Sequence, residues 1–234
     1  IMGIGGIGSI VSLFLSQFLN SLKRESVIYL VDGDRFELRN NRRMLFTHIA
    51  NKAVEKADEL SKKFGDYIRY HPVPHYVTQD NIADIIKEGD LVFLCVDNHA
   101  TRLLVNKRCQ ELRSTILISG GNDGVEDGKD GTFGNVQIFT RCDGRNVTNP
   151  LTRFHPEIEH PPDRRPDELG CGELTQASAP QLLFTNLTVA SAMLNTFFCC
   201  LYDELNYEEL YMSISKGKMV PVKRVPKSED VSSK

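Results

Sequence analysis

A glycine-rich turn that runs directly into an apolar helix, at the start of the chain, restricts the fold more than any other feature. Apolar residues recur at helical spacing over residues 11–22, which predicts a helix with one apolar face. The absence of side chains lets backbone N–H groups approach an anion, and the helix N-terminus adds a favourable dipole. The segment predicts a phosphate-binding turn, although tight turns also use glycine; its glycines are Gly3, Gly5, Gly6 and Gly8.

Short apolar runs alternate with amphipathic segments through the first half of the chain. The runs that predict strands lie at residues 26–32, 67–73, 91–96 and 115–119. The segments that predict helices lie at residues 10–19, 51–64, 79–87 and 100–113. This alternation is typical of an α/β fold with a Rossmann-like, mostly parallel sheet, flanking helices and ligands at the carboxyl ends of the strands. Only residues 1–2 correspond to the strand that should precede the glycines, so we expect further residues upstream.

The second half has a different texture, with turns and a long crossover loop. Glycine and aspartate concentrate at residues 121–134, and residues 143–170 are rich in proline and glycine, which predicts a long irregular connection. The other expected elements are a strand, a helix and an antiparallel β-hairpin, at residues 135–140, 181–202 and 210–222. We therefore expect one domain in two parts and a disordered tail, divided as a Rossmann-like nucleotide-binding half at 1–120, an extension at 121–225 and the tail at 226–234.

Composition excludes several classes of function. The chain of 234 residues has a net charge of −3, which argues against nucleic acid as the main partner. Its six cysteines form no CxxC pair, which favours a reducing compartment, and we expect the cytoplasm. The most apolar stretch, residues 182–201, is interrupted by threonine, serine and asparagine. It therefore predicts a buried or interface helix rather than a membrane span.

An acidic residue, Asp32, ends the second predicted strand and lies 24 residues after Gly8. In a dinucleotide-type fold an acid at this position accepts hydrogen bonds from ribose hydroxyls. The alternative is an ordinary acid at a strand end. Taken alone, Asp32 fits a nicotinamide dehydrogenase as well as an enzyme that uses a nucleoside triphosphate.

Charges and amides crowd the segment after Asp32. The residues that carry this signal are Asp34, Asn40, Asn41, Arg42 and Arg43, followed by Lys52. A triphosphate requires arginine and lysine to neutralise its charge, whereas a dehydrogenase needs little positive charge here. The alternative is a solvated charged turn.

A second strand-end acid, Asp97, follows the apolar run at residues 91–96. Opposite a triphosphate it would be a Mg²⁺ ligand, because this small cation takes one or two carboxylates together with phosphate oxygens. The alternative is a helix cap, provided by Asp97 or by Asn98.

Five motifs in order carry a family resemblance. They are GxGGxGS, Asp-x-Asp, Asn-x-Arg, Lys-Ala, and an aspartate followed five residues later by an arginine. Together they resemble the ThiF/MoeB/ubiquitin-activating enzyme superfamily, densely in the first half of the chain and in outline in the second. The resemblance implies a homodimeric enzyme that uses MgATP to adenylate the C-terminal glycine of a ubiquitin-like or sulfur-carrier protein. A conjugating enzyme is a further implied partner.

The resemblance also implies roles for individual residues. The four glycines and Asp34 would contact the nucleotide, and Asp32 would hold the ribose. Asn40 or Asn41 would hold phosphates together with Arg42 and Lys52, and Asp97 would hold Mg²⁺. We therefore expect Arg42, Lys52 and Asp97 to carry catalysis by positioning and charge neutralisation. Arg42 is preferred to Arg43, and Lys52 is preferred to Lys56.

The cysteines raise the question of a covalent step. Cys171 lies between two glycines, which would leave its thiol accessible for thioester formation, although a packing role is an equal alternative. Cys142 is a weaker candidate, and Cys95, Cys199 and Cys200 are expected in the core. Some members of the superfamily bind a structural zinc through two CxxC pairs. This chain has none, so we predict a zinc-less branch.

Three other functions remain open at this level. A nicotinamide-dependent oxidoreductase is disfavoured by the basic residues after Asp32. A non-catalytic partner subunit that binds a ubiquitin-like protein is disfavoured because no matched motif position is lost. A related enzyme that adenylates a small molecule or RNA would have much the same ATP site.

Overall fold

A central mixed β-sheet with helices on both faces forms the framework of the computed structural model, which describes residues 1–37, 48–126, 128–153, 155–169 and 181–223. The helices are α1 (Gly6–Ser21), α2 (Lys52–Phe64), α3 (Ile82–Ile85), α4 (His99–Glu111), α5 (Pro156–Glu159) and α6 (Leu183–Leu201). The longer strands are β1 (Ser26–Val31), β2 (Ile68–Val73), β3 (Leu91–Leu94), β4 (Thr115–Asn122), β7 (Phe133–Cys142), β9 (Tyr207–Ser213) and β10 (Lys218–Lys223). The shorter ones are β5 (Val125–Glu126), β6 (Lys129–Asp130) and β8 (Arg145–Asn146). The expected disordered tail, residues 226–234, lies outside the described residues.

The first three residues join two groups of strands into one sheet. Met2 pairs in parallel with Val31 at the end of β1 and with Leu94 at the end of β3. On one side the Gly3 N–H donates to the Val31 carbonyl at 2.9 Å, and on the other the Met2 N–H donates to the Phe93 carbonyl at 2.8 Å. Residues 1–3 therefore lie between β1 and β3, where a Rossmann-like sheet requires the strand that delivers the glycines.

The sheet is mixed, which corrects the prediction of a mostly parallel sheet. The pairs β1–β2 and β3–β4 are parallel, whereas β4–β7, β7–β9 and β9–β10 are antiparallel. The cause is the connection after β4: the described residues between 123 and 132 form a small β5–β6 hairpin. A connection this short joins antiparallel neighbours, because a parallel pair needs a crossover of a dozen residues or more. The predicted C-terminal hairpin is confirmed, with Gly217 in its turn at φ +57°.

Helix α6 covers the sheet beside α1 and buries one of its faces. Val189, Ala190 and Met193 are fully buried in a cluster that includes residues of α1, β4 and β7. By length and composition α6 is the one helix among the described residues that could cross a membrane, but here it is a core helix of the sheet. Its opposite face stays open, with Phe184 71% exposed.

The crossover after β7 contains only short elements in its described parts, as the sequence predicts. Beyond β8 these are the turns Leu151–Arg153 and Pro166–Glu168 and the single-turn α5. Leu151 and Ile158 are buried beneath α4 and fix the start of the crossover.

A histidine at the start of α5 ties the crossover to the sheet. His155 Nε2 lies 2.6 Å from Glu209 Oε1 on β9, and its Nδ1 lies 2.6 Å from Glu157 Oε1. Burial opposes protonation, but Glu209 and Glu157 raise the pKa of His155 above its ordinary value. His99 and Tyr211 are the other titratable groups close to the ring. The protonated imidazole therefore bridges two carboxylates.

This bridge predicts a pH-dependent contribution to stability. A pKa that is raised by folding stabilises the folded state below the unfolded value of about 6.5, and the effect is lost as pH rises through the folded value. We expect His155→Gln to lower the free energy of unfolding by about 1–3 kcal/mol at pH 6, as for hydrogen bonds to charged groups. Urea unfolding between pH 6 and 9 should show this difference shrinking as pH rises. A difference that is constant across the range would contradict the charged bridge.

Candidate functional site

The glycine turn forms a tight cradle at the start of α1. Gly3 adopts φ +82°, and a Cβ there would lie 2.8 Å from the Cys95 carbonyl oxygen. A Cβ on Gly8 would lie 1.9 Å from the carbonyl oxygen of Gly3. Gly5 is the N-cap of α1 and faces open space, and no described side chain caps the helix. The N–H groups of the first turn are thus available to an anion.

Asp32 ties the glycine turn to the loop that follows β1. Its Oδ2 accepts the Ile4 N–H at 2.6 Å, and its Oδ1 accepts the Asp34 N–H at 2.8 Å. Burial raises the pKa of Asp32 to about 6, with Asp34 acting in the same direction and Lys52 opposing. Each carboxylate oxygen keeps a further lone pair that can accept a hydroxyl hydrogen.

Lys52 lies at the start of α2 and faces the same edge of the sheet. Its Nζ is 2.6 Å from Asp34 Oδ2, and only 9% of its side chain is exposed. Tyr76 donates its hydroxyl to the other oxygen of Asp34. Burial opposes the charge, but Asp32, Asp34 and Asp97 raise the pKa of Lys52 above its ordinary value. Lys52 is therefore a fixed cation, and Asp34 is its partner.

Lys56 takes a different direction from the same helix. Its Nζ pairs with Glu59 Oε2 at 2.6 Å, and its side chain is 4% exposed. The structure therefore brings Lys52, the lysine preferred from the sequence, close to Asp32, Asp34 and Asp97. Lys56 instead pairs with a residue of its own helix.

Asn51 is a positioning residue that the sequence analysis did not single out. Its Oδ1 caps α2 by accepting the N–H groups of Ala53 and Val54 at 2.9 and 3.2 Å. Its Nδ2 donates to the carbonyl oxygens of Asp32 and Asp34 at 2.8 and 3.1 Å. An asparagine directly before a helical pattern is a recognised cap signal, but its bonds to the earlier loop are visible only in the structure.

Asp97 follows β3 and is exposed at the same edge of the sheet. The sequence offered Asp97 or Asn98 as the N-cap of α4. The cap is Asn98, whose Oδ1 accepts the Thr101 N–H at 2.8 Å. The carboxylate of Asp97 is thus not used as the N-cap and can face a ligand. Oxygen donors of this kind suit Mg²⁺ when phosphate oxygens complete the set. Among the described residues, no three His, Cys, Asp or Glu side chains could hold a metal ion by themselves.

Arg102 supports the loop that carries Asp97. The guanidinium is buried and donates to Ser119 Oγ at 2.8 Å and to the carbonyl oxygens of Val96 and Gly120 at 2.8 and 2.9 Å. These bonds hold the ends of β3 and β4 together. Arg102, the arginine of the fifth sequence motif, therefore positions the site through its hydrogen bonds to these strand ends.

A crossover residue reaches the same corner. The two carboxylate oxygens of Asp163 accept the N–H groups of His99 and Ala100 at 2.8 and 2.9 Å. Asp163 thus completes the cap of α4 and holds the crossover next to Asp97. A shallow cavity of about 470 Å³ beside Tyr76 is lined by Gly33, Tyr76 and Thr78 on one side and by Asp167 of the crossover on the other.

Four predicted site residues fall in segments 38–47 and 170–180, outside the described residues; they are Asn40, Asn41, Arg42 and Cys171. Their roles stay predictions.

The structure separates the weaker thiol candidate from the site. Cys142 ends β7, where its neighbour Arg141 pairs with Thr115 at the first residue of β4. The site lies at the other end of β4, roughly 23 Å away at the rise of a strand. Cys142 is exposed, but it cannot reach a group bound at the glycine turn of the same molecule.

The three cysteines expected in the core, Cys95, Cys199 and Cys200, are only partly buried. Burial raises the pKa of the Cys95 thiol to about 12, so the thiol stays protonated. Cys199 and Cys200 are half-buried at the end of α6.

Comparison with known proteins gives two relatives by sequence and one solved structure with a similar fold. Protein HesA of Leptolyngbya boryana is 29% identical over 129 residues, which are 54% of this chain and 44% of that protein. The molybdopterin-synthase adenylyltransferase of Escherichia coli is 28% identical over 160 residues, 67% of this chain and 59% of the relative. The crystal structure of E. coli MccB with ATP has the same fold, with a TM-score of 0.66 and 16% identity, over 96% of this chain and 63% of that one.

The chain spans less than two thirds of the length of each of these three proteins. The model of the ThiF family matches residues 1–203. Because this match takes in the glycine turn, Asp32, Lys52, Asp97 and the whole of α6, the chain belongs to the ThiF family.

Proposed function

We propose that this protein uses MgATP to adenylate the C-terminal glycine carboxylate of a ubiquitin-like or sulfur-carrier protein. The observation that carries the proposal is the fixed cation Lys52, paired with Asp34 and close to Asp32 and Asp97 at the edge of the sheet where the glycine turn opens. A buried lysine among three carboxylates suits a ligand that brings both phosphate charge and a divalent cation. The MccB structure with ATP and the adenylyltransferase of E. coli support the same chemistry for the family.

Each residue of the site has a role that follows from its position. The glycine turn receives phosphate oxygens through backbone N–H groups, and Asp32 accepts ribose hydroxyls. Lys52 neutralises phosphate charge, together with Arg42 by family resemblance, and Asn40 or Asn41 would hold phosphates by the same resemblance. Asp97 would hold Mg²⁺, which when bound neutralises the charge of the leaving pyrophosphate.

The chain's own contribution to the reaction is placement. The carrier carboxylate attacks the α-phosphorus, the bond to the bridging oxygen breaks, and pyrophosphate leaves. Lys52 needs no proton transfer for this step, because its charge stabilises the developing negative charge on the oxygens. Its ion pair with Asp34, supported by Tyr76, keeps the ammonium group in place before the nucleotide arrives.

We further propose a cytoplasmic homodimer as the working form, without nucleic acid or membrane as partner. The exposed apolar side chains Phe184, Leu187, Phe198 and Leu201 line the free side of α6, and Phe14 and Leu22 extend this surface along α1. Contiguous apolar surface of this kind is characteristic of protein interfaces. A conjugating enzyme would receive the activated carrier if a thioester forms.

Exchange of labelled pyrophosphate into ATP, in the presence of candidate carrier proteins, tests the proposed activity. We expect Asp97→Ala and Lys52→Ala to reduce the exchange rate by about 100-fold or more, the usual effect of removing a group that stabilises transferring charge. Lys63→Ala is the matched control, because Lys63 lies on the same helix with 52% of its side chain exposed. Wild-type exchange in the two site variants would contradict the assigned roles, and absence of exchange with every carrier would contradict the proposed function.

A second experiment concerns the covalent step. In that step the Cys171 thiol attacks the acyl carbonyl of the adenylate, AMP leaves, and the thiol proton goes to solvent. We expect Cys171→Ala to keep pyrophosphate exchange and to lose the carrier adduct that a reducing agent cleaves on a gel. Cys142→Ala should keep both, because its thiol lies at the far edge of the sheet. A reducible adduct that survives in Cys171→Ala would overturn this assignment.

A further inference from the structure

A buried side-chain amide of α6 faces the glycine turn. Asn186 is fully buried, and its Nδ2 has no hydrogen-bond partner within the described structure. This Nδ2 lies 2.1 Å from the point where a Cβ on Gly6 would stand. The amide is therefore packed directly over the first residue of α1.

The orientation of this amide is fixed by a neighbouring side chain. Asn122, at the end of β4, donates its Nδ2 to Asn186 Oδ1 at 2.8 Å. With its oxygen engaged, Asn186 must turn its N–H groups the other way, toward Gly6. One residue earlier, Thr185 donates to the Gly131 carbonyl at 2.7 Å and anchors this end of α6. The donor is thus held in place by two long-range contacts.

An unpartnered buried donor is unfavourable unless a ligand supplies the acceptor. The N–H groups of the first turn of α1, which begins at Gly6, are donors as well. Gln181 Oε1 lies 3.3 Å from the same Cβ point, but it does not satisfy Nδ2. Side-chain and backbone donors that converge without an acceptor call for an anionic oxygen.

We propose that Asn186 is a binding residue of the nucleotide site and that its Nδ2 donates to a phosphate oxygen held at the Gly5–Gly6 turn. The proposal rests on the proposed function, since it takes that phosphate to belong to the nucleotide. It assigns to α6, in the second half of the chain, a direct part in a site whose other residues all come from the first half. It also explains Gly6: any side chain there would displace the Asn186 amide.

Asn186→Asp isolates the donor. The new carboxylate keeps the shape of the side chain and the acceptor for Asn122, but it removes the N–H groups and repels a phosphate. Asn195→Asp is the matched control, because it makes the same change of charge on an exposed position of the same helix. Calorimetric titrations with MgATP, AMP and adenosine separate phosphate recognition from nucleoside binding, and thermal unfolding of the unliganded variants reports folding.

We expect Asn186→Asp to lower the affinity for AMP and for MgATP at least tenfold and to change the affinity for adenosine by no more than about twofold. The variant should unfold at or above the temperature of the wild-type protein. Asn195→Asp should stay within about twofold for all three ligands. Asn186→Ala, which removes the donor without adding charge, should weaken AMP relative to adenosine in the same sense, and it serves if the aspartate variant does not fold.

The proposal is overturned if the Asn186 variants bind AMP as tightly as Asn195→Asp does. It is also overturned if their affinity for adenosine falls as much as their affinity for AMP. Wild-type protein that binds neither AMP nor MgATP would instead contradict the proposed function. The two failures are therefore distinguishable.

Discussion

The carboxylate of Asp32 holds the site together, and the other contacts of the site depend on it. One oxygen fixes the backbone of the glycine turn through Ile4, and the other fixes the loop after β1 through Asp34. Asn51 secures the same loop from the opposite side and starts α2 at the residue before Lys52. The strand end, the glycine turn and the lysine are thus locked to one another by hydrogen bonds that engage buried polar groups, which is the arrangement that buried polar groups require.

This frame explains why the buried ammonium group of Lys52 can stay charged. A buried cation is costly unless carboxylates pair with it. Lys52 has Asp34 in contact and Asp32 and Asp97 close by. Asp97 is a carboxylate that can bind a divalent cation. A nucleoside triphosphate brings such a cation with its phosphates, whereas a dinucleotide does not need one.

Short-range sequence patterns predicted those parts of the fold and of the site that depend on residues close together in the sequence. Gly3 needs glycine because of its own positive φ, and Asp32 and Lys52 stand at the ends of elements that periodicity reveals. The mixed sheet was not predicted, because the antiparallel pairing of β7 with β4 is a contact that the strand pattern alone does not show. Contacts between distant segments were also invisible. Asn186 against Gly6 and His155 against Glu209 join residues that no sequence window contains together.

Competitive calorimetry tests whether this edge of the sheet binds MgATP rather than a dinucleotide. Wild-type protein is titrated with ATP in the presence of Mg²⁺, with ATP and EDTA, and with NAD. We expect saturable binding of ATP that strengthens with Mg²⁺, loss of this strengthening in Asp97→Ala, and no displacement of ATP by NAD. Tight binding of NAD, with ATP unable to compete, would contradict this expectation.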